Sequence, residues 1–253
     1  MGHTFNILTP TIDGFDNSFS NYLYSFFVAV KRVNINYIKY TYLGTNIDPK
    51  TLPDQSLEDY KVDIGHVERV FAYELYRQWY NQDLITNNPN LIINAEIPKE
   101  LIAEVLNSDK HLYYPDMVLH AGQQTCDSNI LVCEIKRKEY ANLHPEKLND
   151  DIKKLYLFVD KKTNTSKKNP KWKPYEIGVF LMTVKELKND EKYSLNLISE
   201  LFDETIFSLN KGKRHSTKKI ICAIYDGKEL LYDTLCNLIK QAKKSKKLIS
   251  KSL

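Results

Sequence analysis

The sequence predicts a mixed α/β domain: a central sheet of about five strands flanked by helices, behind a helical N-terminal extension over residues 1–60. Three observations predict it. Five short apolar runs, at 91–97, 115–120, 129–136, 175–184 and 220–225, have strand length and polar or turn-forming borders. Segments with apolar residues every three or four positions alternate with them, at 64–80, 145–159, 193–209 and from 229 onward. The 253 residues are 42% hydrophobic and 27% charged, which suits a folded domain with a real core and not a disordered chain.

In chain order, residues 17–33 read as an apolar helix with Ser18 or Ser20 near its start, and 48–53 as a turn-rich connection. Residues 64–80 carry Val67, Val70, Phe71, Leu75 and Trp79 on one helical stripe, with Gln78 as a polar intruder. Residues 87–90 break the chain before the first strand. The second and third strands are joined by a loop with Gly122 and a polar cluster, as neighbouring strands should be. In 145–159, Leu148, Ile152, Leu155, Tyr156 and Val159 share a face, and Pro145 suits a helix start. Residues 161–174 and 211–219 are basic loops. The last helix, from 229, runs into a lysine-rich tail. Residues 61–253 are expected to form the α/β domain.

Several function classes are disfavoured. No segment approaches the roughly 18 consecutive apolar residues of a membrane span, and the N-terminus lacks the order of a signal peptide. Cys126, Cys133, Cys222 and Cys236 show no metal spacing and are expected to be reduced, in a cytoplasmic protein. P-loop, Rossmann and nucleophile-elbow glycine patterns are missing from a chain with 8 glycines. A net charge of +4 and a pI near 8.6 lean mildly toward a polyanionic partner.

Chemistry concentrates in YYPDMVLHAGQQTCDSNILVCEIKRK, residues 113–138. Strand side chains alternate faces. Leu131, Cys133 and Ile135 therefore point one way, and Ile130, Val132, Glu134 and Lys136 the other. On the preceding strand Asp116, Val118 and His120 share a face. Pairing of the two strands sets Asp116 beside Glu134. Two adjacent carboxylates repel unless a cation lies between them, and oxygen ligands of this kind suit Mg²⁺. Lys136 is then placed to orient a water, help deprotonate it, or stabilise charge on a phosphate. The competing reading is a solvated strand face on which Glu134 and Lys136 form a structural ion pair.

Pro115-Asp116, followed after seventeen residues by Glu134-Ile135-Lys136, resembles the PD-(D/E)XK nuclease superfamily, the restriction-endonuclease-like fold. The resemblance spans roughly residues 64–160 and includes the helix before the strands and the helix after them. It implies hydrolysis of phosphodiester bonds with Mg²⁺, with Mn²⁺ substituting. Asp116 and Glu134 would bind the metal together with the backbone carbonyl of Ile135, and Lys136 would position or activate water. Family members often add a glutamate from the preceding helix. Glu68 and Glu74 both border its apolar stripe, Glu68 is favoured, and Glu96 ranks third. The partner implied is nucleic acid, with DNA favoured, and a homodimer follows by resemblance alone.

Arg137 and Lys138 leave the strand beside this site and are expected to contact substrate. Lys153, on the following helix, is a candidate phosphate contact, against the alternative of a surface lysine beside Asp150 or Glu146. His120 reads as a ligand or as a partly buried, satisfied histidine. Trp172 and Tyr175, interleaved with lysines, are candidates for stacking on bases. The alternatives to a nuclease are an inactive nuclease-fold binder or scaffold, and an unrelated α/β interaction protein.

Overall fold

A computed structural model describes residues 3–6, 19–34, 36–39, 57–95, 115–121, 129–138, 145–160, 173–184 and 217–249. The described strands form one mixed sheet of seven: β1 (His3–Thr4), β2 (Leu91–Ala95), β3 (Met117–Ala121), β4 (Asn129–Arg137), β5 (Ile177–Thr183), β6 (Ile220–Tyr225) and β7 (Leu230–Thr234). Their spatial order is β1-β7-β6-β5-β4-β3-β2. The centre, β4-β5-β6, is parallel, and the flanking pairs are antiparallel. The described helices are α1 (Ser20–Arg32), α2 (Asn36–Lys39), α3 (Leu57–Tyr80), α4 (Asp83–Thr86), α5 (Pro145–Val159) and α6 (Leu235–Ile249).

Alternation along the strands makes two cores. Leu119, Leu131, Cys133 and Ile135 face α1 and α3, where Phe26, Phe27, Phe71, Leu75 and Trp79 are buried. Val118, Val132, Phe180 and Cys222 face α5 and α6, against Leu148, Ile152, Leu155 and Leu238. Each such side chain contributes roughly 1.5–3 kcal/mol on burial. The N-terminal residues take part: Phe26 meets Trp79 edge-on with ring centres 4.9 Å apart, and Phe27 lies 5.1 Å from Tyr232.

Helix α5 lies close on β5 because residue 178 is glycine. A Cβ there would stand 3.2 Å from Val159 Cγ1 and 3.7 Å from Leu155 Cβ. Gly178→Val is expected to force α5 outward at a cost of about 1–3 kcal/mol. A lowered urea midpoint at unchanged m-value checks this.

The expected helices at 64–80 and 145–159 and all five expected strands are present, while the expected helix at 193–209 lies outside the described residues. Three details differ. The chain from 229 does not begin as a helix: Leu230–Thr234 is β7, hairpin-paired with β6. The turn is set by Gly227 at φ 92° and by Asp226, whose Oδ1 accepts the backbone N–H groups of Lys228 and Glu229 at 2.8 Å each. Only then does α6 start, with Thr234 Oγ1 accepting the Asn237 N–H at 3.2 Å as an N-cap. Two further strands, β1 and β7, raise the count from five to seven. Finally, Ile130 belongs to the α1/α3 core and not to the face of Val132. A register shift between Leu119 and His120 lets Leu119 pair with Leu131 and His120 with Asn129, leaving Ile130 as an extra residue.

Candidate active site

The site lies where β4 ends, Asp116 leads into β3, and α5 begins its crossing of the sheet. Met117 pairs with Cys133 and Val118 with Val132, so the antiparallel register brings Asp116 opposite Glu134. The Ile135 backbone N–H donates to Asp116 Oδ2 at 2.6 Å. That bond ties the Pro-Asp entry of one strand to the Glu-Ile-Lys exit of the other. Glu134 is 1% exposed, and its Oε1 has no hydrogen-bond partner among the described residues.

Glu68 arrives from the other layer. Phe71, Leu75 and Trp79 anchor α3 on the sheet, and one turn before them Glu68 reaches the end of β4. Its Oε1 accepts the Arg137 backbone N–H at 2.9 Å, and its Oε2 lies 3.7 Å from Lys136 Nζ. Glu74 does not join: its carboxylate takes two hydrogen bonds from Arg77 and one from Gln78 on its own helix. The bond from Arg77 holds it below the usual carboxylate range. Glu96 lies outside the described residues.

Helix α5 supplies two groups that the sequence did not single out: Asp151, and Lys154, which shares the following helix with the favoured Lys153. Asp151, buried, has Oδ2 3.4 Å from Lys136 Nζ and Oδ1 2.5 Å from Lys154 Nζ. Their signal was available: Asp151 sits between Leu148 and Leu155 at helical spacing, an acid on the border of an apolar stripe, and Lys154 follows it by one turn. Lys153, the candidate phosphate contact, stands about 100° further round the helix. Its side chain is 53% exposed and pairs with Asp150 at 3.5 Å, so the structure does not bring it to the cluster.

The other candidates separate in the same way. Arg137 is 2% exposed within β4, so its guanidinium is no open phosphate contact; its backbone N–H instead fixes Glu68. Lys138 is half-buried beyond the strand end. His120 shares a 2.9 Å contact with Asn94 across β2 and β3, which fits the satisfied histidine. Tyr175 is 6% exposed and packs edge-on against Phe158, unavailable for stacking on a base. Trp172 and Cys126 lie outside the described residues, and Cys133, Cys222 and Cys236 are free thiols.

The electrostatics are those of a crowded, largely buried cluster of charges. Burial raises the Glu134 carboxyl well above its ordinary value, and neighbouring Asp116 and Asp151 raise it further. Burial also raises Asp116 and Glu68, with Lys136 opposing in both. For Lys136 burial alone acts downward, but Asp116, Asp151, Glu68 and Glu134 together outweigh it and hold the group as an ammonium. With every group ionised, the four carboxylates Glu68, Asp116, Glu134 and Asp151 and the two ammonium groups Lys136 and Lys154 sum to −2.

That residual charge is the charge of one divalent cation with its sign reversed. No three Asp, Glu, His or Cys side chains among the described residues are gathered as a metal-ligand set. The donors that fit are fewer: Asp116 and the Oε1 of Glu134, which has no hydrogen-bond partner among the described residues, with the Ile135 carbonyl as the third that the family resemblance implies. Mg²⁺ commonly binds through one or two carboxylates and keeps several waters, so this oxygen set suits it. No described helix is long and apolar enough to cross a membrane. Compared with protein-family models, with curated proteins and with solved structures, the chain matches none.

Proposed function

We propose that the chain is a metal-dependent nuclease of the PD-(D/E)XK type, hydrolysing phosphodiester bonds in DNA, with a restriction-endonuclease-like core around α3, β3, β4 and α5. The observation that carries this reading is Glu134. A carboxylate 1% exposed, with one oxygen that has no hydrogen-bond partner among the described residues and Asp116 beside it, is costly to bury even with Lys154 and Lys136 acting on it, and a divalent cation would offset that cost. A structural ion pair would instead be satisfied within the chain.

Asp116, Glu134 and the Ile135 carbonyl would hold Mg²⁺, or Mn²⁺ in its place. When bound, the metal supplies Lewis-acid polarisation of the phosphoryl group and a more acidic bound water. The chain's own groups do the rest. Lys136, held as an ammonium by four carboxylates, orients the attacking water and stabilises charge growing on the phosphate; in that state it has no lone pair with which to take a proton. Glu68 fixes Lys136 from one side and the β4 main chain from the other.

The test is a panel of linear, supercoiled, single-stranded and branched DNA, with RNA, in Mg²⁺, Mn²⁺ or EDTA. Wild type is expected to cut DNA with metal only, and Asp116→Ala to lose about 10²–10³-fold or more in rate. Mg²⁺ at a hundredfold excess over Kd is expected to stabilise wild type by about 2.7 kcal/mol, read as a raised Tm, and Asp116→Ala to gain none of it. No cutting of any substrate, with Tm unmoved by metal, would overturn the reading and leave a nuclease-fold binder or scaffold.

A further inference from the structure

Two lysines of this site share one carboxylate. Asp151 lies between them, with Oδ1 2.5 Å from Lys154 Nζ and Oδ2 3.4 Å from Lys136 Nζ. Ammonium groups brought this close repel each other, and the aspartate between them removes that cost. The Asp151 side chain is 5% exposed and that of Lys154 22%. The carboxylate is thus sealed into the wall while Lys154 keeps an edge open to solvent.

Fold stability alone is a poor reason for this arrangement. Leu148, Ile152, Leu155 and Tyr156 already anchor α5 on the sheet, and buried ion groups are often no more stabilising than apolar residues of the same volume. Nor is Lys154 a helix-surface lysine like Lys153, whose partner Asp150 is itself 61% exposed. An open ammonium beside a second one, facing two acids that suit a divalent cation, matches a group that carries negative oxygens and also binds metal. A phosphate is such a group, and lysine serves it as a point charge.

We propose that Asp151 clamps Lys136 and Lys154 into a paired ammonium edge that binds the backbone phosphate of the nucleic-acid substrate. Lys154 contacts a phosphate oxygen, and Asp151 is a positioning residue that acts through both lysines. The inference rests on the nuclease reading, which supplies the phosphate.

The experiment measures binding of a fluorescent DNA duplex at several salt concentrations, with Ca²⁺ replacing Mg²⁺ under conditions checked for absence of cutting. Cleavage kinetics in Mg²⁺ run in parallel. Lys154→Met is expected to weaken binding about tenfold and to reduce the slope of log K against log salt by about 1, the signature of one lost phosphate contact. Lys154→Arg is expected to restore the slope. Asp151→Asn is expected to lower kcat about 10–100-fold with a smaller change in KM, as loss of a supporting partner does. Lys154→Gln, which keeps a hydrogen bond to Asp151, replaces the methionine variant if that one does not fold. A purely structural lysine would lower the urea midpoint and leave the salt slope at the wild-type value. That slope, in a wild type that cuts, overturns the inference and leaves the nuclease reading standing. A wild type that neither cuts nor binds DNA overturns both.

Discussion

Lys136→Met is expected to abolish cutting and to weaken the fold at the same time. The ammonium lies 3.7 Å from Glu68 and 3.4 Å from Asp151, with its side chain 15% exposed. Methionine keeps most of the volume and removes the charge. Glu68, Asp116, Glu134 and Asp151 then lose one of the two ammonium groups that face them, and Lys154 remains. Removing one partner of a buried ion pair costs about 3–5 kcal/mol, because the remaining charge is stranded. On the proposed nuclease reading the activity loss is expected to be about 10²–10³-fold or greater, since the group assigned to stabilise charge at the phosphate is gone. The pH dependence separates the two effects. The folded pKa of Lys136 is raised, so its contribution in wild type is fully present below its ordinary value of about 10.4 and fades only in strongly alkaline solution. In the variant the stranded carboxylates hold protons more tightly than they do unfolded. Their penalty is therefore present at neutral pH and shrinks as pH falls toward about 4. Urea midpoints at pH 8 and pH 5 check this: the gap to wild type should narrow in acid. A gap that is absent at pH 8 would mean that Lys136 is not the counter-ion of the cluster.

The part of this site that lies on strands was legible because strand geometry is simple. Side chains alternate, β3 and β4 are close in sequence, and one antiparallel register sets Asp116 opposite Glu134. Glu68 was legible only as one of three acids. Its choice over Glu74 depends on where α3 crosses the end of β4, a tertiary fact. On α5 the face mattered to within one residue. Lys153 and Lys154 differ by about 100°, enough to exchange a solvent partner for a site partner. The stretch after Gly227 misled because its apolar residues continue smoothly into Leu235, Leu238 and Ile239. A helical period was read through a five-residue strand whose identity depends on pairing with β6. The Asp226-Gly227 pair was the local signal for that hairpin. Strand β1 had no local signal at all: two residues become a strand by pairing with β7, across nearly the whole chain.

Glu134→Gln is expected to make the metal-free protein more stable while abolishing the proposed nuclease activity. The glutamine is nearly isosteric and keeps the buried side chain's volume. It removes a charge that is 1% exposed, with Asp116 and Asp151 raising its cost. Replacements of this kind commonly yield about 0.5–2 kcal/mol, which is roughly 1–8 °C of Tm for a chain of this size. The sign follows from linkage. The folded pKa lies above the unfolded one, so as pH rises from about 4.3 the unfolded chain releases this proton first. Wild-type stability therefore falls as pH climbs through the folded pKa, and the variant escapes that fall. In EDTA the variant should melt higher than wild type at pH 8, and the two should converge near pH 4. Mg²⁺ should reverse the order, raising wild type by mass action and leaving the variant unmoved. A structural glutamate makes the opposite demand, since its partner would be lost and the variant would melt lower at pH 8 with or without metal. The crossing of the two melting curves on adding Mg²⁺ thus tests whether this buried acid is kept for the fold or for an ion, and it does so without a substrate.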